Sequence, residues 1–386
     1  KIKKRKVLTV TEGRADFSRF KPIIDKINLE KNLDYILVVT GIHMLKKYGR
    51  SINEIKKIGF NIHDSFNMYP EDLSKKNDDG ASMSKSLGIA IIEISKILKK
   101  TKPDLVLSGF DIAANLAVTI SAAHMNIPVA HIQGGEVSGT IDESIRHAMS
   151  KFAHYHLASN QDAKKRLIKM GEKKQNIFVV GCPSIEALFS QKKLSAIYFK
   201  KKIGLDIKKK YLVVIQHSVT SELSKVKFQI RETIKAIKKF KMQTLFVCPN
   251  NDAGSTFIID EIKSNSSFYY SPTLELNEYR TLLENCFALV GNSSSGIHEA
   301  SSFKKPVINI GTRQNGRLRS KNIIDVDYSS KKILKELKML NNSPMYKKLT
   351  LKLINPYAAK NTSQKIINII KKIDISENAV QKKITY

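Results

Sequence analysis

A dense group of polar residues runs from Asp111 to His147. Asp111 follows the apolar run 105–108, and the next apolar run, 129–132, leads through Glu136 towards Asp142. Carboxylates that converge from the ends of adjacent strands suit proton transfer at carbon, because one group must accept a proton while another donates one. The sequence therefore predicts acid–base chemistry in this part of the chain.

Four neighbouring residues have simpler interpretations. Asp142 and Glu143 lie where a helix is predicted to begin, and acidic residues stabilise the positive end of a helix, which is the role we prefer for Glu143. His131 and His147 lack the HxH or HxxxH spacing of metal ligands. We therefore predict that both histidines are structural and that the protein has no metal site.

A second group of residues has the composition of a phosphate-binding turn. The run Gly291 to Glu299 follows the apolar segment 288–290 and precedes a helical stretch. Small residues there let backbone amides approach a diphosphate, and Glu299 could accept hydrogen bonds from ribose hydroxyls. A serine-rich loop with a helix cap explains the run equally well. Arg313 follows the next strand and its guanidinium suits phosphate oxygens, although a single arginine is more often a solvated surface residue.

Two further turns follow predicted strands and are expected to face the same cleft. Arg14 and Ser18 come directly after the run 7–10 and could reach a diphosphate from the opposite wall. His217 ends the strand 211–216, and its protonated form could neutralise a departing phosphate. Because a lone histidine is usually structural, the role of His217 depends on this position alone.

Alternating apolar and amphipathic segments predict the scaffold of these turns. The first series has strands at 7–10, 35–39, 105–108 and 129–132 and helices near 17–27, 88–99 and 116–124. The second has strands at 211–216, 244–248, 288–291 and 307–310 and helices near 227–240, 278–285 and 296–302. We predict two Rossmann-like, doubly wound α/β domains with the site in the cleft between them.

The domain boundaries follow from the same pattern. We expect residues 1–185 to form the first domain and to carry the catalytic carboxylates, and residues 186–362 to form the second, nucleotide-binding domain. Residues 363–386 are predicted to form a helix that packs back on the first domain, followed by a tail. The polar stretch 69–79 has few apolar residues and is predicted to be a mobile loop.

Charge and composition exclude several classes of protein. The 386 residues carry a formal net charge of +31, and such a field attracts polyanions. The lysines are scattered in short groups, however, and no aromatic residues interleave with a basic stripe as a single-strand nucleic-acid surface requires. We expect a lysine-rich surface that favours an anionic small substrate, and no nucleic-acid partner.

No apolar run reaches the roughly 18 residues needed to cross a bilayer, so we expect a cytoplasmic protein with no membrane partner. The three cysteines are widely separated and have no CxxC spacing. This pattern argues against both a disulfide framework and a structural zinc site.

Seven motifs, taken in order, resemble the hydrolysing UDP-N-acetylglucosamine 2-epimerase family. They are Arg14-Ala15-Asp16, residues 40–43, 134–147, Gln216-His217, residues 250–255, 291–299 and 311–314. The resemblance spans about residues 6 to 375 and implies a glycosyltransferase-B-like fold. It implies elimination of the nucleotide diphosphate to give a glycal, followed by addition of water with inversion at C2. UDP-N-acetylglucosamine would give N-acetylmannosamine and UDP, for sialic-type acid synthesis, without any cofactor.

The resemblance also implies roles for individual residues and a homodimer or homotetramer. Asp111 and Asp142 match carboxylates that transfer protons or hold the sugar, and His217 matches the histidine at the phosphates. The residues that match substrate- and nucleotide-binding positions are Arg14, Ser18, His43, Asn250, Asp252, Ser293, Ser294, Glu299 and Arg313.

The chain departs from the family pattern at two catalytic positions. Where many relatives have a glutamate this chain has Gln133, which cannot transfer a proton as a carboxylate does. Glu136 or an ordered water is expected to take over that role. The Gly-Asp-Arg motif reads Phe110-Asp111-Ile112, which keeps the acid and loses the arginine.

Alternatives remain for the substrate and the reaction. The substitutions at Phe110 and Ile112 would suit the same chemistry on UDP- or GDP-N,N'-diacetylbacillosamine, on the legionaminic acid route. A glycosyltransferase could share the nucleotide cleft, but the context of Asp142 argues against it. The charge motivates a non-enzymatic polyanion-binding protein. The motif at 134–147 follows the hydrolysing pattern, which disfavours a non-hydrolysing epimerase.

Overall fold

Two parallel β-sheets, each flanked by helices, form the scaffold of the protein. The computed structural model describes residues 4–71, 78–343 and 352–386. The seven-stranded sheet with its helices is called the first domain below, and the six-stranded sheet with its helices the second domain. The prediction of two Rossmann-like domains is therefore confirmed. Of the loop predicted at 69–79, residues 72–77 lie outside the described residues.

The first domain has the strand order β3-β2-β1-β4-β5-β6-β7. Its strands are β1 (Arg5–Thr11), β2 (Leu33–Val39), β3 (Asp64–Ser65), β4 (Leu105–Gly109), β5 (Val129–Ile132), β6 (Tyr155–Ala158) and β7 (Ile177–Val179). Its helices are α1 (Arg14–Leu29), α2 (Ile52–Lys57), α3 (Gly80–Thr101), α4 (Ala113–His124), α5 (Ile141–Phe152), α6 (Gln161–Lys169) and α7 (Pro183–Phe189).

The second domain has the strand order β10-β9-β8-β11-β12-β13. Its strands are β8 (Tyr211–Ile215), β9 (Gln243–Val247), β10 (Tyr269–Ser271), β11 (Ala288–Gly291), β12 (Val307–Ile310) and β13 (Ile323–Val326). The remaining helices are α8 (Ala196–Ile203), α9 (Val226–Phe240), α10 (Ser255–Lys263), α11 (Leu276–Asn285), α12 (Ser294–His298), α13 (Ser330–Asn342), α14 (Thr362–Lys372) and α15 (Glu377–Val380).

The central strands are mostly apolar because helices cover both faces of each sheet. In β1, Val7 packs into the cluster that contains α1, whereas Leu8 and Val10 pack into the cluster that contains α3 and α4. Helix α14 joins the α1 side, where Ile366 and Ile370 are fully buried against the first domain. The chain thus returns to the first domain after the second sheet is complete. Among the described residues, no helix is long and apolar enough to span a bilayer.

The strand order reverses at one point in each sheet, and these points locate the site. In the first sheet β1 is flanked by β2 and β4, and in the second β8 is flanked by β9 and β11. The loops after such neighbouring strands run in opposite directions and leave a crevice at the carboxyl ends of the strands. The turns that follow β1, β4, β8 and β11 all carry residues that we expected at the site.

Candidate active site

The turn after β4 presents Asp111 in a constrained backbone conformation. Phe110 and Asp111 have φ angles of 73° and 47°, in the left-handed region that non-glycine residues seldom adopt. The Asp111 carboxylate accepts a hydrogen bond from Arg146 Nη2 at 2.5 Å, and Arg146 is only 2% exposed. Since strained conformations persist where the surrounding structure fixes them, this turn is set up to hold Asp111 in one position.

Arg313 brings carboxylates of the two domains together. Its Nη2 lies 3.4 Å from Asp142 Oδ2, on the first turn of α5, and 3.6 Å from Asp252 Oδ2, on the loop after β9. The backbone also joins the domains here, because Gly139 N donates to Arg313 O at 2.9 Å. A Cβ atom at Gly139 would lie 1.9 Å from Thr312 O, so this approach requires glycine.

His217 lies beside this group, at the end of β8. His217 Nδ1 lies 3.0 Å from Asn250 N and 3.1 Å from Asn250 Oδ1. Because the backbone N–H can only donate, we assign the ring proton of a neutral His217 to Nε2. Burial, followed by the charge of Arg313, lowers the pKa of His217 to about 3. These surroundings therefore disfavour the protonated His217 that we expected from the sequence. The ring is a neutral hydrogen-bond donor, and the positive charge at this point comes from Arg313.

The serine-rich turn after β11 lies next to His217. Asn292 joins the two turns, since its side chain accepts from His217 N at 2.7 Å and donates to His217 O at 2.9 Å. Ser293 caps α12 through a hydrogen bond from Ser295 N, and Ser294 begins the helix. Helix α12 contains only five residues, shorter than the predicted helix at 296–302, so backbone amides contribute more here than a helix dipole.

Glu299 is buried at the end of α12 rather than exposed to solvent. It is 5% exposed, and its carboxylate accepts from Ser295 Oγ, which also hydrogen-bonds the hydroxyl of Tyr279. This chain of contacts fixes the position of the carboxylate. A fixed carboxylate behind the serine-rich turn is compatible with the predicted ribose contact.

On the opposite wall, Arg14 and Ser18 lie at the start of α1. Arg14 Nε donates to Glu54 at 2.9 Å and its Nη1 donates to Tyr48 O at 2.8 Å. Ser18 Oγ donates to Ala15 O at 2.8 Å and is half-buried. Arg14 therefore has protein partners in this state, and contact with a diphosphate would require part of that pairing to be exchanged.

His43 lies behind this wall and not in the cleft. Its side chain is fully buried, with Nε2 at 3.0 Å from Thr11 Oγ1 and Nδ1 at 2.6 Å from Ser51 Oγ. Burial lowers the pKa of His43 to about 3. Because both ring nitrogens are engaged within the protein, the structure favours a supporting role for His43 over the substrate contact that we expected.

Glu136 is likewise enclosed by protein groups. Its Oε1 accepts from Ser159 at 2.6 Å and from Gln133 Nε2 at 3.1 Å. Its Oε2 lies 2.9 Å from His298 Nε2 and 3.2 Å from Arg317 Nη1, both from the second domain. Burial alone would raise the pKa of Glu136, but these two groups hold it well below its usual value. An ionised, fully engaged carboxylate is poorly suited to the proton transfer that we expected from Glu136.

The sequence interpretation did not single out Glu12, the first residue after β1. Its side chain is 6% exposed, accepts from Ala114 N at 2.9 Å and accepts from the hydroxyl of Tyr69. Burial raises the pKa of Glu12 to about 7, although both hydrogen bonds act in the opposite direction. Ala114 lies in the first turn of α4, directly after the strained turn of Asp111. The available signal was an acidic residue directly after the first strand.

In the described part of the chain, no group of three or more His, Cys, Asp or Glu side chains is arranged to hold a metal ion. The predicted residues that the structure brings together are Asp111, Asp142, His217, Asn250, Asp252, Ser293, Ser294 and Arg313. The set combines Asp111 and Asp142 of the first domain with hydrogen-bond donors, one guanidinium and the carboxylate of Asp252 from the second. Such a set can remove a proton beside an anionic leaving group.

Comparison with known proteins shows which family the chain belongs to and which solved structures share its fold. A family model described as UDP-N-acetylglucosamine 2-epimerase matches residues 25–371. The chain is 36% identical over 381 residues to a hydrolysing UDP-N,N'-diacetylbacillosamine 2-epimerase from Legionella pneumophila, covering 98% of both chains. It is 34% identical over 331 residues to a UDP-N-acetylglucosamine 2-epimerase from Neisseria meningitidis, covering 85% of each. A Methanocaldococcus jannaschii UDP-GlcNAc 2-epimerase structure with UDP-GlcNAc and UDP has a TM-score of 0.78 at 19% identity, over 95% of this chain and 99% of that one.

Proposed function

The chain belongs to the UDP-N-acetylglucosamine 2-epimerase family, and from that premise we propose that it is a hydrolysing 2-epimerase. It converts UDP-N-acetylglucosamine and water into N-acetylmannosamine and UDP. One observation carries the proposal: Arg313, 8% exposed, touches the first-domain acid Asp142, while its Nε has no hydrogen-bond partner among the described residues. Because buried donors are normally paired, this N–H suits an oxygen of a diphosphate held against the catalytic acids.

In the first step of the proposed reaction, a carboxylate removes the proton from C2 of the sugar. The C1–O bond breaks, its electron pair passes to the diphosphate oxygen, and a C1=C2 double bond forms. Arg313 and the Nε2–H of His217 stabilise the charge that develops on the leaving diphosphate. The backbone amides at Ser293 and Ser294 add further donors to the same group.

In the second step water adds to the glycal. The oxygen of water bonds to C1, a proton is delivered to the face of C2 opposite to the one it left, and the sugar is released as the 2-epimer. Asp111 and Asp142 take part in these proton transfers, since both carboxylates lie near the buried guanidinium of Arg146. The hydrolysing course is supported by the name of the Legionella relative, which spans nearly the whole chain.

A second candidate substrate is UDP-N,N'-diacetylbacillosamine, on which the Legionella relative acts by its name. The observation that favours it is the pair of apolar residues that flank Asp111 in the chain. Phe110 is 5% exposed and packs 4.9 Å from the ring of Phe20, and the half-buried Ile112 stands where the resembled motif has an arginine. Apolar side chains suit a sugar with a methyl group at C5 in place of a hydroxymethyl group.

The test is product analysis by ¹H and ³¹P NMR after incubation of the purified chain with each donor and no added cofactor. We expect one free UDP for each free 2-epimer, from one donor in clear preference to the other. Asp111→Asn serves as the inactive control. A UDP-linked 2-epimer without free UDP would contradict the hydrolysing course, and sugar transfer that needs an acceptor would indicate a glycosyltransferase.

A further inference from the structure

Position 133 has no carboxylate, and the structure shows what its side chain does instead. Gln133 Nε2 donates to Glu136 Oε1 at 3.1 Å, and Gln133 Oε1 lies 3.5 Å from Cys182 Sγ. A glutamate at 133 would set a second carboxylate against the ionised Glu136. Gln133 therefore serves as a neutral donor to Glu136, and the proton transfer that a glutamate could perform must come from another group.

Asp252 is a carboxylate on the other wall of the cleft. It lies on the loop between β9 and α10 in the second domain, where Asn250 Nδ2 donates to its Oδ2 at 2.6 Å. The same oxygen lies 3.6 Å from Arg313 Nη2, and that nitrogen lies 3.4 Å from Asp142 Oδ2 in the first domain. One guanidinium nitrogen thus bridges two carboxylates that approach from opposite domains.

The groups that face Asp252 favour a retained proton. Asp111 and Asp142 face it from the first domain, Glu12 interacts with it from the turn after β1, and Arg313 and Asn250 face it from its own domain. Burial, followed by the charge of Asp142, raises the pKa of Asp252 to about 6, although Arg313 and the hydrogen bond from Asn250 act in the opposite direction. Asp252 can therefore hold and release a proton near neutral pH.

We infer that Asp252 donates the proton to C2 in the hydration step, in place of the carboxylate that position 133 lacks. The inference rests on the proposed hydrolysing 2-epimerase function. Its stereochemical basis is that inversion requires the proton to leave one face of C2 and return to the opposite face. Asp111 lies on the first-domain wall and Asp252 on the second-domain wall, so the two groups can serve opposite faces.

The proton balance of the cycle is complete. Asp111 takes the proton from C2 as the C1–O bond breaks and UDP forms. The C1=C2 electron pair then takes the proton of Asp252 at C2, water bonds to C1, and Asp142 takes the proton that water loses. Asp111 and Asp142 release two protons, one of which restores Asp252. Each turnover therefore yields UDP, the free 2-epimer and one proton in solution.

The inference is tested with Asp252→Asn, with Asp327→Asn as the matched control because Asp327 is a surface residue of the same domain with its side chain 78% exposed. Released UDP, glycal and free 2-epimer are followed by NMR. We expect Asp252→Asn to release UDP and accumulate glycal while formation of the 2-epimer falls at least about 100-fold. Asp252→Glu is expected to recover part of the hydration, and the control to match the wild-type chain.

A direct assay of the hydration step distinguishes loss of the proton donor from a structural disturbance of the UDP site. The glycal and UDP are supplied to each variant, and UDP affinity is measured on the same samples by calorimetry. Unchanged UDP affinity with loss of glycal hydration supports the inference. It is overturned if Asp252→Asn hydrates the glycal normally, or if UDP affinity and UDP release are lost together, which would make Asp252 a support for Arg313. Failure of the wild-type chain to release UDP from either donor would instead refute the proposed function.

Discussion

Two buried glutamates, Glu12 and Glu136, follow strands of the same sheet and lie in opposite electrostatic surroundings. Both are nearly inaccessible, at 6% and 4% exposed. Glu136 lies between His298 and Arg317 of the second domain. Glu12 accepts only neutral hydrogen bonds, from Tyr69 and a backbone amide, and has Asp16 and Asp252 as its charged neighbours.

The effect of burial on the pKa of each carboxyl group depends on whether a cation lies beside it. Burial raises the pKa of both carboxyl groups, but the cations around Glu136 reverse the effect and hold its pKa well below the usual value. Glu12 has no such partner among the groups that act on it, and its pKa rises to about 7. The ionised Glu136 thus lies at the contact between the domains. Glu12, which can hold a proton near neutral pH, lies behind the turn of Asp111.

The largest expected effect comes from Glu136→Gln. The substitution keeps the volume and leaves His298 and Arg317 buried without their anion, so the free energy of unfolding should fall by about 3 to 5 kcal/mol. Urea denaturation at pH 7 measures it. The control is Glu93→Gln, which removes an exposed pair with Lys96 and should cost less than about 0.5 kcal/mol. If the two variants lost the same free energy of unfolding, the pairing of Glu136 with His298 and Arg317 would contribute no more to stability than an exposed ion pair.

Glu12→Gln should have an effect that depends on pH. Because the pKa of Glu12 is raised from 4.5 in the unfolded chain to about 7 in the folded protein, its contribution to stability is fully present below pH 4.5 and is lost as pH rises to 7. Relative to the wild-type chain, the variant should therefore gain up to about 3 kcal/mol between pH 5 and pH 8. Unfolding free energies of both chains at the two pH values measure this gain. A difference that does not change with pH would contradict the account.

Tyr69→Phe should have the smallest effect and sharpens the same comparison. The hydroxyl of Tyr69 lowers the pKa of Glu12 and also hydrogen-bonds Asn251 of the second domain. Its removal should cost about 1 kcal/mol, with a larger loss at pH 8, where Glu12 is ionised, than at pH 5. Thermal unfolding at the two pH values checks this. An equal loss at both values would mean that Tyr69 acts through Asn251 alone.

The fold was predictable because periodicity and turn residues mark βα units in the sequence. The strands at 129–132, 288–291 and 307–310 were predicted with the bounds that the structure has. The missed strands are β3, β6, β7, β10 and β13, which have two to four residues each and lie at or next to an edge of their sheet. These elements form through pairing with neighbouring strands, which a local pattern does not record.

The candidate site was predictable only in outline. Residues at strand ends, such as Asp111 and His217, could be placed at the cleft because parallel strands end at the same edge of a sheet. The enclosure of Glu136 by His298 and Arg317 depends on contacts between positions more than 160 residues apart, at a sequence separation of 162 for the histidine. The spacing of residues in the sequence does not show which distant side chains will contact each other.

The most direct test of the account is Asp111→Asn, with UDP affinity and turnover measured on the same sample and His217→Ala alongside. We expect Asp111→Asn to bind UDP as the wild-type chain does but to form neither glycal nor 2-epimer, because Asp111 removes the proton from C2 of the sugar and does not bind the diphosphate. His217→Ala should weaken both UDP binding and turnover. A near-normal kcat for Asp111→Asn would contradict the role of Asp111 as the base that acts on C2.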